Sequence, residues 1–134
     1  MTDADHFEAK KALTFEINPQ RRIAYLRYEM NPSVSEWQTV VDQIFSHPDF
    51  RPDFGILSDR RGVLDASPEL VQGAIEFLAV CKVQGRWTGK WAMVANSSDS
   101  ANRAKVLENL LHPIHAEYKG FDNINDAENW LASN

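Results

Sequence analysis

Cysteine is almost absent from this chain, with Cys81 alone among 134 residues. A single thiol closes no intrachain bridge, so a disulfide-stapled fold is excluded. Long apolar runs are missing too. None approaches the roughly 20 residues that span a bilayer, and the opening stretch MTDADHFEAKK lacks the apolar core of a signal peptide. The expectation is a cytoplasmic protein with no membrane insertion. Positive charge is in short supply: 14 Lys and Arg against 19 Asp and Glu leave a net charge of −5. Such a balance repels nucleic acid unless a local basic patch overrides it, and only short patches occur. Catalytic signatures are missing as well, with no Gly-x-Ser-x-Gly elbow, Walker loop or Gly-x-Gly-x-x-Gly turn. His112 and His115 are three residues apart, but they flank Pro113 at a helix end and no thiol or carboxylate cluster joins them. The chain therefore reads as a non-enzyme that needs no metal or cofactor.

What is present is an ordinary globular composition, 43% hydrophobic and 25% charged. At this length a chain buries about two-thirds of its unfolded surface, enough to fold without a staple. Residues 1–12 are expected to be a flexible N-terminal segment and 13–132 a single domain. Leu13, Phe15 and Ile17 alternate with Thr14 and Glu16, a half-buried strand. After the Asn18-Pro19-Gln20-Arg21 turn, Arg22 to Tyr28 is a second run of strand formers, so the two predict a β-hairpin. Ser33 with Glu36 three residues on is a capping box, and Val34, Trp37, Val40, Val41, Ile44 and Phe45 then recur at helical spacing. Phe54 to Ser58 reads as a buried strand.

Ser67-Pro68-Glu69 starts a second helix by placing a capping hydroxyl, a proline and an acid in its first turn. That helix buries Leu70, Ala74, Phe77, Leu78 and Cys81, and Gly85 stops it. Lys90 to Ala95 is a fourth strand. Asn96-Ser97-Ser98-Asp99 offers caps for a third helix carrying Ala101, Ala104, Leu107, Leu110 and Leu111. His115 to Phe121 makes a weak fifth strand, and Asn125 with Glu128 opens a last short helix over Trp130 and Leu131. The order β-β-α-β-α-β-α-β-α predicts an α/β fold: a mixed, mostly parallel five-stranded sheet with an N-terminal hairpin and four helices. Three of the four tryptophans, Trp37, Trp91 and Trp130, fall on apolar faces. Trp87 stands between turn residues in Gly85-Arg86-Trp87-Thr88-Gly89, and is either an exposed interface residue or a loop residue folded onto the core.

Several short motifs, in this order, resemble the SpoIIAA-like branch of the STAS superfamily. They are Glu36-Trp37, then His47-Pro48-Asp49-Phe50-Arg51-Pro52, then Ile56-Leu57-Ser58-Asp59-Arg60-Arg61-Gly62-Val63, and finally Phe121, Ala127 and Trp130-Leu131. The superfamily includes anti-sigma-factor antagonists and cytoplasmic domains of anion transporters. The resemblance implies a STAS-like domain that binds a protein partner, another copy of itself included. In the antagonists a serine in an Asp-Ser-Ser-Gly type turn after the third strand is phosphorylated by a partner kinase. Asp65 and Ser67 are similar to that pair, whereas Ala66 and Pro68 depart from it.

Two functional readings follow. In the first, the loop from Asp59 to Ser67 and the helix after it form a partner face, with Asp59, Asp65 and Ser67 as the partner-binding or phosphorylated residues. In the second, parallel strands would bring two helix N-termini to one edge of the sheet, where open α/β sheets bind ligands. Arg60, Arg61, Ser97, Ser98 and Arg103 would then grip a small anionic or apolar ligand. The bland alternative is that the serines only cap helices and the arginines only pair with neighbouring acids.

Overall fold

The computed structural model describes residues 11–63, 66–96, 108–109, 112 and 116–133. Its elements are β1 (Leu13–Asn18), β2 (Ile23–Tyr28), α1 (Val34–Ser46), β3 (Gly55–Asp59), α2 (Pro68–Val83), β4 (Lys90–Val94), β5 (Glu117–Phe121) and α3 (Ile124–Ala132). The five strands lie in chain order in one sheet. β1 is antiparallel to β2, and β2 to β5 are mutually parallel. The expected sheet and hairpin are therefore present. Among the described residues there are three helices rather than four; the remaining one, expected from Asn96 to Leu111, falls largely outside those residues. The expected flexible segment also lies mostly outside them, although the carbonyl of Ala12 already accepts the N–H of Glu29 at 2.8 Å.

Local chemistry sets the element ends. Ser33 caps α1 by accepting from the backbone N–H of Glu36, and the Glu36 carboxylate returns the bond to the N–H of Ser33. That N–H also holds the Glu36 carboxyl below its ordinary pKa. Ser67 caps α2 through the N–H of Leu70 at 3.1 Å, with Pro68 in the first turn, where its missing donor costs nothing. Two boundaries differ from the sequence reading. Arg22 lies in the hairpin turn in the left-handed region, φ 60, its guanidinium stacked on Phe54 and paired with Asp53. The last helix starts two residues earlier than expected, because Asn123 rather than Asn125 caps it by accepting from the N–H of Asp126 at 2.8 Å.

Strand alternation sends side chains to two different faces. Ala24, Leu26, Tyr28, Ile56, Trp91, Met93 and Tyr118 face α1 and α2 in the larger core. Ile23, Leu57, Ala92 and Val94 face the other way, onto Ala127, Ile124, Trp130 and Leu131 of α3. Gly55 lets α3 sit close, since a Cβ there would come 2.9 Å from Leu131. The ammonium of Lys90 donates to the carbonyls of Trp130 and Ser133, so a cation closes the negative end of α3.

Aromatic rings fill the larger core. Trp37 and Trp91 stack with centroids 6.2 Å apart, Trp91 and Tyr118 stack at 6.5 Å, and Trp87 meets Trp91 edge-on at 5.6 Å. Trp87 is thus a core residue and not an exposed one: it is fully buried, its indole N–H donating to the carbonyl of Leu78. Cys81 is buried on the inner face of α2, and burial pushes its thiol pKa up, which suits a core residue rather than a nucleophile.

Trp37 is only 3% exposed and touches α2 through Phe77 and β4 through Trp91. Trp37→Ala should destabilise the fold by about 3–5 kcal/mol in a chemical-denaturation series. A loss below about 1 kcal/mol would mean that this packing does not hold the helices to the sheet.

Candidate functional site

The carboxyl ends of β2, β3 and β4 form the edge at which parallel sheets usually bind. The chain leaves β3 through Arg60, whose N–H donates to the carbonyl of Val94 on β4. A tight turn follows, closed by the N–H of Val63 donating to the carbonyl of Arg60. Gly62 sits at φ 87, a left-handed position that glycine takes without strain. Beside this turn is an open cleft of about 480 Å³ lined by Arg27, Tyr28, Glu29, Asp59, Arg61, Val63 and Asn96.

Asp59 organises the cleft. Its carboxylate accepts from the backbone N–H, Nε and Nη2 of Arg61, at 3.1, 2.9 and 2.9 Å. Arg27 is directly opposite Asp59 in the β2–β3 register. Burial works against the charged form of Asp59, yet the hydrogen bonds and charge of Arg61, with Arg27 adding to them, outweigh it and hold the carboxyl below its ordinary range. The Arg61 guanidinium is correspondingly pushed up. This is a charge-assisted fork, the stronger kind of side-chain ion pair.

Arg60 turns the other way. Its guanidinium stacks over Tyr28, 4.5 Å from the ring centroid, and donates to Oδ1 of Asn31. Below it a buried polar chain runs under the strand ends: Tyr28 Oη accepts from Trp37 Nε1 at 2.9 Å, and Ser58 Oγ accepts from Trp91 Nε1 at 2.8 Å. Burial pushes the phenol pKa values of Tyr28 and Tyr118 up, so both stay neutral donors and acceptors. Among the described residues every buried side-chain nitrogen and oxygen has a partner.

The structure therefore separates two residues that the sequence reading grouped. Arg60 serves the α1/α2 side of the sheet, and Arg61 the side of Asp59. Asp59 and Arg61 do meet, and Ser67 stands exposed at the start of α2 with its hydroxyl engaged in the cap. Asp65, Ser97, Ser98 and Arg103 lie outside the described residues. The sequence reading missed Arg27, Tyr28 and Asn31. Arg27 could have been found, because a hairpin that pairs β1 with β2 leaves β2 to pair β3, and parity then sets Arg27 on the face of Asp59. Among the described residues no group of His, Cys, Asp and Glu could hold a metal, and no helix is long and apolar enough to cross a membrane.

No protein-family model and no curated protein matches the sequence. Among solved structures, an uncharacterised protein of the DUF3478 family with a SpoIIAA-like fold, from Shewanella loihica PV-4, superposes with a TM-score of 0.61. The match covers 90% of this chain and 92% of that one, at 14% sequence identity. A likeness at that identity speaks for architecture alone, and on that ground this chain has a SpoIIAA-like fold.

Proposed function

We propose that this chain is a non-catalytic interaction module of the STAS type, whose loop from Asp59 to Ser67, together with α2, meets a protein partner. The observation that carries the reading is the contrast, among the described residues, between a filled interior and an unfinished surface. Trp37, Trp87, Trp91 and Tyr118 occupy the space between the sheet and the helices, where a carrier would keep room for its ligand. The cleft at the strand ends is open, and its Arg61 is already committed to Asp59. The outer side of α2, by contrast, ends in Val80 and Val83, which are 55% and 82% exposed, and Met30 projects 44% exposed next to Asn31 at the strand ends. On the same stripe Glu69, Gln72 and Glu76 are exposed and polar, so the apolar patch is confined to the last turn of α2, where Val80 and Val83 are left in water side by side.

The test is affinity purification from the source cells with the parent protein and with Val80→Lys combined with Val83→Lys, cations being compatible with the negative end of α2. Both positions are exposed, so the double variant should keep the parent's thermal melt and lose the partner that the parent recovers. A partner retained in full by the variant would contradict the reading.

Ser67 allows a second expectation at the opposite end of α2, about 20 Å from Val80 and Val83. Its hydroxyl caps α2, so Ser67→Ala should cost about 0.5–2 kcal/mol, while Ser67→Asp, which can still cap, should cost little. Chemical denaturation of both variants checks this. An alanine variant as stable as the parent, or stoichiometric phosphate on Ser67 in protein from source cells, would instead make Ser67 a switch.

A further inference from the structure

Among the described residues β1 is an edge strand, and its pairing with β2 fixes which of its backbone groups face outward. Because the carbonyl of Ala12 accepts from Glu29, alternation turns the N–H and C=O groups of Thr14 and Glu16 toward β2 and those of Leu13, Phe15 and Ile17 outward. Natural edges are usually blunted by proline, a central lysine or a bulge. β5, the opposite edge, has Lys119 exposed at its centre. Between Leu13 and Asn18 β1 has no proline, lysine or bulge, and its one charge is the exposed Glu16. Beside it, between the strand and α1, runs a groove of about 540 Å³ lined by Leu13, Phe15, Val40 and Thr39, with the charged Lys11 and Glu36 at its margin.

We infer that β1 pairs antiparallel with β1 of a second copy of this chain, about a two-fold axis at Phe15, making one continuous sheet. The sequence of the strand is self-complementary about that residue. Leu13, already buried in its own core, lies opposite Ile17 of the second copy, and the half-buried Phe15 lies opposite its own counterpart, all on the α1 side of the sheet. On the other side of the sheet Thr14 faces Glu16 of the second copy, a hydroxyl opposite a carboxylate. Moving the axis to Glu16 would set acid against acid, in a chain that already carries −5. A two-fold pairing of β5 centred on Lys119 would set two ammonium groups against each other. This edge is distinct from the partner face on α2, so the two stand or fall separately.

Thr14 and Glu16 are both exposed, so substitutions there leave the core of the monomer alone; because Thr14 lies opposite Arg27 in the hairpin, each variant is made in an Arg27→Gln background, which removes the charge pairing within one copy. Sedimentation equilibrium of the full chain should show a monomer–dimer equilibrium. Thr14→Glu should raise its dissociation constant roughly tenfold by creating facing acid pairs, and Thr14→Lys should lower it by a similar factor by facing Glu16. Were the axis at Thr14, each substitution would meet itself and both would weaken the dimer. The amides of Leu13, Phe15 and Ile17 should also exchange more slowly in concentrated than in dilute samples. A chain that stays monomeric at millimolar concentration, whether or not its edge takes up an extended segment of another protein, would overturn the inference. So would a dimer whose constant ignores both substitutions.

Discussion

Burying an indole brings an N–H into the core that cannot go without an acceptor, and this chain buries three tryptophans between its sheet and its two larger helices. The acceptors are Tyr28 Oη for Trp37, Ser58 Oγ for Trp91 and the carbonyl of Leu78 for Trp87. An unmade bond at any of these sites would cost about 1–3 kcal/mol, which is why each ring is tied to one orientation. Together the three bonds and the stacked rings join α1, α2, β2, β3, β4 and β5. The registers of the parallel strands, and hence the positions of everything at their carboxyl ends, rest on that arrangement.

The site inherits its geometry from this core. Ser58 is held inward by Trp91, so by strand alternation Asp59 must point to the other face, where it meets Arg61 and lies opposite Arg27. Arg60 falls back onto Tyr28, on the side of the tryptophans. Two adjacent arginines thus serve opposite sides of the sheet and do not converge on one point.

Much of this was legible in the sequence wherever the cause is local. The capping box at Ser33 and Glu36, the Ser67-Pro68 start of α2 and the alternation of Leu13, Phe15 and Ile17 are each written within a few residues, and each is found in place. Trp87 was open between two outcomes, because the glycines beside it allow a loop that turns either way and only the position of Leu78 and Trp91 decides. Asn123 and Asn125 each have an acid three residues on, so spacing alone could not choose the start of α3. The separation of Arg60 from Arg61 was readable in principle, since neighbours at a strand end alternate. Their shared charge invited grouping them instead.

The claim on which the rest turns is the proposal that the protein works by its surface, over a core that aromatic rings fill among the described residues. Native mass spectrometry of the chain purified from its source cells tests this directly. The account predicts the bare polypeptide mass, or whole multiples of it, with no small-molecule adduct. A stoichiometric adduct of a few hundred daltons, retained under gentle conditions and lost on unfolding, would contradict it and make the chain a carrier.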